Sequence, residues 1–334
     1  MYSFSLKLRN FLAITDADLE SRSPITVIIA PNRAGKTQIL LLLYSLFWSL
    51  WKDPDQAQSG IKSKLKRTFL LKKLSDLIQW EQNSCNFHLK SDLLEIHCDI
   101  TQKRFLLEIT NNDFKPDSAP LYIQPAGLGD YYKGIYSLRK YYPNWHLISE
   151  AITDMLSDLF ILEGAESTTE NKDLMELYEE LFQAKYYVQK ERIFIQEKKR
   201  KYGIEKSASG LKSLGWLYLS LRYNLLGSVL FLDEPEVNLH PTYIEKLALF
   251  LSKVANNKKI FITTHSDYLL ESFNKIIQQE EIEIDVWEGY FQNEKVTYRS
   301  TVANKNDLID TSSLNETYIN IVKDLFEYED DLGL

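Results

Sequence analysis

Three apolar runs, each ending in residues suited to handling a polyphosphate, constrain this chain more than any other feature. Ile25-Thr-Val-Ile-Ile29 leads into Ala30-Pro-Asn-Arg-Ala-Gly-Lys-Thr37, Ser228-Val-Leu-Phe-Leu232 into Asp233-Glu-Pro235, and Lys259-Ile-Phe-Ile-Thr-Thr264 into His265. The first run is apolar on both faces, as in a central parallel strand, and the other two are expected to join it in one parallel sheet. In open α/β sheets ligands gather at the carboxyl edge of such strands. The order therefore predicts one site, assembled from distant parts of the chain.

The residue types fit ATP and Mg²⁺. A loop between a buried strand and a helix presents unpaired backbone N–H groups and the positive end of the helix dipole. Gly35 lets that loop approach phosphates, Lys36 reaches the β- and γ-phosphates, and the Thr37 hydroxyl coordinates Mg²⁺. Asn32, Arg33, Ala34 and Gln38 complete the expected nucleotide-binding set. Ala30 stands where such loops usually open with glycine. The paired acids divide two roles: Asp233 is the second Mg²⁺ residue, and Glu234, pointing the other way by strand alternation, orients and deprotonates the attacking water. His265 is placed to hydrogen-bond a γ-phosphate oxygen.

The 334 residues, 44% hydrophobic with a net charge of −8, suit one large domain and argue against a surface basic throughout. Nucleic acid stays open through local lysine clusters. Cys85 and Cys98 lack a CxxC pair, so neither a disulfide framework nor a zinc site is expected. The N-terminus has no signal-peptide core. The longest apolar run, Ile39 to Trp51, is too short to cross a bilayer and reads as a buried helix. A cytoplasmic protein without membrane attachment is expected.

Strands are expected over residues 2–10, 25–29, 228–232 and 259–263. Lys62 to Asp76 reads as a Lys-rich helix, and runs such as 93–98 and 104–109 as an antiparallel side sheet. Residues 126–190 read as mainly helical, with Leu174, Leu177, Tyr178, Leu181 and Phe182 on one face. Residues 192–206 read as a hairpin with Lys198 to Lys201 near its turn. One two-lobed domain over 1–334 is expected: a nucleotide-binding lobe of 1–125 and 226–334, and a helical lobe of 126–225.

Phe231-Leu-Asp-Glu-Pro-Glu-Val-Asn-Leu-His-Pro241 and Thr263-Thr-His-Ser-Asp267 resemble the Walker B, D-loop and switch segments of ATP-binding-cassette ATPases. The likeness is to their soluble branch, which includes chromosome-maintenance and recombination-repair ATPases, overcoming-lysogenization-defect nucleases and stand-alone phage-defence ATPases. Leu8 to Phe11, followed by 25–37, is similar to that branch's N-terminal strands. The resemblance implies an α/β P-loop NTPase of ABC-ATPase type: a mixed sheet core, an antiparallel side sheet and a helical lobe. It also implies two heads sandwiching two ATPs, with a signature Ser and Gly of one head capping the other's nucleotide. Ser207-Ala-Ser-Gly-Leu-Lys-Ser213 lies where that signature belongs, with Ser209 and Gly210 as candidates and Ala208 at the usual serine position. The alternative reading of the same segment is an N-cap for a helix over 211–225. Gln124 is a candidate for the family's glutamine loop, and residues 236–241 form a turn able to cross to a partner.

The leading expectation is an ATP-hydrolysing head that forms a homodimer or larger homo-oligomer. It would be the sensor or motor of a multi-protein system such as antiphage defence, with a separate effector protein. Asp285, Glu288 and Asp307 are scattered and read as solvated, not as an appended nuclease centre. The alternative is a DNA-repair or chromosome-organising ATPase clamping DNA, with Lys62, Lys64, Lys66, Arg67 and Lys198 to Lys201 on phosphates. Stacking by Tyr131 to Tyr136 and Arg139 to Tyr142 would assist it. A transporter ATPase is disfavoured by the Glu236 to His240 turn, and a non-hydrolysing scaffold by Asp233 and Glu234.

Overall fold

The computed structural model describes residues 3–124, 148–161, 170–189 and 192–311. The strands β1 (Phe4–Phe11), β2 (Ile14–Ser21) and β3 (Ile25–Ile29) precede the helices α1 (Lys36–Lys52) and α2 (Ala57–Thr68). Then come β4 (Ser84–Lys90), β5 (Glu95–Thr101), β6 (Phe105–Thr110) and β7 (Leu121–Ile123), followed by α3 (Glu150–Ile161) and α4 (Lys172–Phe182). A ribbon of β8 (Ala184–Gln189), β9 (Arg192–Glu197) and β10 (Arg200–Gly203) leads to α5 (Ser209–Arg222). The chain closes its core with β11 (Val229–Asp233), α6 (Pro241–Val254), β12 (Lys259–Thr264), α7 (Asp267–Glu280), β13 (Ile284–Gln292) and β14 (Lys295–Ala303).

One eleven-stranded sheet runs in the order β6-β5-β4-β1-β2-β14-β13-β3-β12-β11-β7. Its strands from β13 to β7 are parallel neighbours, while β2, β1, β4, β5 and β6 pair antiparallel. β14 joins the halves, antiparallel to β13 and parallel to β2. The expected mixed core and antiparallel side sheet are thus the observed fold. Every residue of β3, β11 and β12 is buried. Leu40, Leu43 and Phe47 of α1 cover one face of these strands, and Trp216, Leu247, Phe250 and Phe273 cover the other. Register partners Phe231 and Phe261 stack at 5.3 Å beneath α1. Each such side chain contributes about 1.5–3 kcal/mol on burial, so the sheet holds the ends of its central strands in fixed relation.

The Ile39 to Trp51 run is the buried helix expected. Its two polar interruptions are satisfied within it, Ser45 donating to Leu41 O at 2.7 Å and Ser49 to Ser45 O at 2.8 Å. Among the described residues no helix is long and apolar enough to cross a membrane.

Four expectations need correction. The Lys-rich helix begins at Ala57 and ends at Thr68, because Leu70 turns left-handed at φ 56° and the Leu71 N–H returns to Lys66 O at 2.9 Å. The helical reading of 126–190 fails after Phe182: Gln183 caps α4 at φ 54°, and β8 then buries Ala184, Tyr186 and Val188 in alternation. Lys64, offered as a phosphate contact, is fully buried, paired with Asp154 and with Glu150 at 3.6 Å, its ammonium 3.7 Å from the Trp48 ring centroid.

The fourth concerns Asp285, which is 1% exposed and not solvated. It accepts from the Arg22 and Ser23 N–H groups at 2.7 and 2.8 Å and faces the Lys259 ammonium at 3.6 Å. Burial lowers Lys259 from 10.5 to about 8. Between those values the unfolded chain binds more protons than the native one, so this residue's contribution to stability rises with pH. Urea midpoints of the wild type and Lys259→Met, compared at pH 8 and pH 10, are expected to shift in favour of the wild type at the higher pH.

Candidate active site

The loop from β3 to α1 places Asn32 and Arg33 in solvent and buries Ala34, whose carbonyl accepts from the Tyr298 hydroxyl at 3.1 Å. Two left-handed residues shape the loop, Arg33 at φ 69° and Gly35 at φ 88°. Gly35 is required there: a Cβ would lie 2.8 Å from the Gln38 side-chain oxygen and 3.0 Å from Ile14. The Gln38 side chain accepts from the Ala13 N–H at 3.0 Å, which ties the β1–β2 turn to the helix start. No side chain caps α1, so its first-turn N–H groups face the loop open to an anion.

Lys36 reaches back from that first turn. Only 6% exposed, its ammonium donates to Ala30 O at 2.8 Å and lies 2.7 Å from His265 Nε2. Burial lowers its pKa to about 8, against the opposing pull of Glu234, Asp233 and Glu236. Such a buried cation has its strongest partners in the incoming anion's oxygens. His265 follows β12, and its Nε2 is also 3.1 Å from a Glu234 oxygen. One nitrogen offers either a lone pair or a proton, so Nε2 satisfies Lys36 or Glu234 at any instant but not both. Burial first, and the Lys36 charge second, lower the pKa of His265, which favours the neutral ring.

Asp233 ends β11 and is 3% exposed. It accepts from Thr37 Oγ1 at 3.0 and 3.1 Å, from Thr263 Oγ1 at 2.6 Å and from the Tyr122 hydroxyl at 3.0 Å. Glu234 lies one residue beyond the strand, so strand alternation does not set its direction. It is left-handed at φ 50°, and its N–H donates to both Thr263 oxygens at 3.1 Å.

The structure thus brings Lys36, Thr37, Asp233, Glu234 and His265 together at one sheet edge. Gln124 stands at the same edge, directly after β7, whose Ile123 is the register partner of Leu232. Among the described residues no hydrogen bond joins Ser209 or Gly210 to this cluster. The helix starts at Ser209, two residues before the expected cap boundary, and Ala208 supplies no side-chain cap. Gly210 rests on the turn after Glu236, where a Cβ would be 2.6 Å from Asn238 O. That turn exposes Asn238 and His240 but not Glu236, which is 8% exposed. Glu236 accepts from the Thr264 hydroxyl and the His265 N–H, and burial raises its pKa to about 7. Glu236, Tyr122 and Thr263 were absent from the sequence-derived site.

Residues 162–271 match the family described as AAA domain, putative AbiEii toxin, Type IV TA system. That span includes Asp233, Glu234, His265 and the start of α5. Among solved structures, the SmcHead bound to the C-winged helix domain of ScpA superposes with a TM-score of 0.59 at 12% identity, covering 92% of this chain and 99% of that one. The SMC head domain from Thermotoga maritima gives 0.53 at 12% identity, covering 90% and 99%. An Smc head with an extended coiled coil, bound to the C-terminal domain of ScpA derived from Pyrococcus furiosus, gives 0.51 at 11%, covering 97% and 99%. At such identities the likeness is one of fold. A comparison with curated proteins gives no match. The chain has a P-loop fold of ABC type like that of the SMC head domains. Its residues 162–271 are similar to an AbiEii-like AAA domain, a span that lies outside the 30–37 loop.

Proposed function

We propose that this protein binds and hydrolyses ATP with Mg²⁺ and that ATP draws two copies together. The observation that carries the reading is the convergence of a buried lysine, a histidine and two acids at the open N-terminus of α1. Lys36 and the α1 N–H groups would bind the phosphates. Thr37 and Asp233 offer a hydroxyl and a carboxylate, hard oxygen donors that fit Mg²⁺. Bound there with ATP, the ion would neutralise charge gathering on the phosphates. Phosphate oxygens would draw Lys36 off His265 Nε2, and in the tautomer protonated there that nitrogen would donate to the γ-phosphate. Glu234 would then accept the proton of the attacking water.

Ser209, exposed at an uncapped helix start, and the half-buried Gly210 beside it would suit the nucleotide of a second copy. On this reading the protein would serve as the sensor or motor of a cytoplasmic multi-protein system. The AbiEii-like match supports a defence role with a separate effector protein. Release of phosphate from ATP by the wild type, lost in Lys36→Ala, tests the reading; equal release by both chains contradicts it.

The DNA-clamping alternative retains the exposed lysines of 198–201, where Lys201 also lies 4.1 Å over the Tyr187 ring, but it loses Lys64 to the core. Tyr131 to Tyr136 and Arg139 to Tyr142 lie outside the described residues. Turnover stimulated by DNA would favour that alternative.

A further inference from the structure

Asp233 is gripped from both of the strands that flank it. Thr263, its register partner on β12, donates to Oδ1 at 2.6 Å. On the other side Tyr122 is the register partner of Phe231, two residues before Asp233, so Tyr122 and Asp233 project from the same face of the sheet. The tyrosine hydroxyl donates to Oδ2 at 3.0 Å. Thr263 on one oxygen and Tyr122 on the other, with Thr37 donating to both, fix the plane of the carboxylate as well as its position. Tyr122 is 2% exposed, and burial beside Asp233 raises its pKa well above the ordinary value, so the hydroxyl stays a donor. Its ring is packed against Tyr44 at 5.8 Å, which sets where the hydroxyl points. The Tyr44 hydroxyl goes elsewhere, to Asp154 at 2.6 Å.

We propose that Tyr122 is a positioning residue, whose hydroxyl holds Asp233 in the orientation that takes the divalent cation arriving with ATP. The inference rests on the reading of Asp233 as the cation's carboxylate. Tyr122 itself stays out of the cation's reach, acting through the oxygen it holds. Partners that orient a metal-binding carboxylate typically change cation affinity by about 10–100-fold when removed.

The test is Mn²⁺ binding to the nucleotide-saturated protein, followed by electron paramagnetic resonance, for the wild type and for Tyr122→Phe, Tyr44→Phe and Asp233→Asn. Tyr122→Phe keeps the ring and is expected to weaken Mn²⁺ binding about 10-fold. Its thermal midpoint and its nucleotide binding in EDTA should match the wild type. Tyr44→Phe, which removes a hydroxyl from the same aromatic cluster but not from Asp233, should bind Mn²⁺ like the wild type. If Tyr122→Phe also binds it like the wild type while Asp233→Asn does not, the tyrosine only packs and the proposal is overturned. If Asp233→Asn leaves Mn²⁺ binding unchanged, the assignment of Asp233 falls, and the role of Tyr122 with it.

Discussion

Glu234→Gln is expected to slow ATP turnover by about 10²–10⁴-fold, the usual share of a general base, while nucleotide still binds. The glutamine has the same shape, and the backbone N–H that holds residue 234 to Thr263 is untouched. What is lost is the ability to take a proton. Lys36, Thr37 and Asp233 keep their places, so the triphosphate and its cation meet the same groups. Phosphate release measured beside binding of a fluorescent ATP analogue separates the two effects. A variant that turns over like the wild type would remove Glu234 from the chemistry.

The second large effect is structural. Lys64→Ala is expected to cost about 3–5 kcal/mol, because it strands carboxylates whose cation is removed. Lys64 is wholly enclosed, paired with Asp154 and Glu150 and lying over the rings of Trp48 and Tyr44. Burial lowers its pKa, the acids opposing that shift. Arg67 still serves Glu150 at 2.6 Å, but among the described residues Asp154 keeps only the Tyr44 hydroxyl as a side-chain donor. Urea unfolding measures the loss. Removing both charges, in Lys64→Met with Asp154→Leu, is expected to recover most of it; a double variant as unstable as Lys64→Ala would show that packing, not charge, carries the effect.

The contrast between these two residues shows what the sequence made legible. Glu234 directly follows a run buried at all five positions, and such a run has few readings other than a central strand with chemistry at its carboxyl edge. Lys64 sat in a cluster of lysines, where charge suggests solvent. The helical spacing of Ala57, Ile61, Lys64, Leu65 and Thr68, all buried, was the signal that placed it inward. Asp285 misled in the same way. An acid between Ile284 and Val286 looks solvated until the backbone N–H groups of Arg22 and Ser23 are brought to it from the β2–β3 connection. β7 has only three residues, too few for periodicity to register, so Tyr122 could not be seen facing Asp233. The ends of α2 and α4 were hidden because Leu70 and Gln183, not glycines, take the left-handed turns there.

An ATP-hydrolysing head of the kind proposed should pair when ATP is bound. The most direct measurement is the solution molar mass of Glu234→Gln by light scattering, with and without Mg-ATP. Blocked hydrolysis should hold any ATP-bound pair together, and the account predicts a mass that doubles on adding nucleotide. The same mass with and without Mg-ATP, at concentrations that saturate the site, would contradict it.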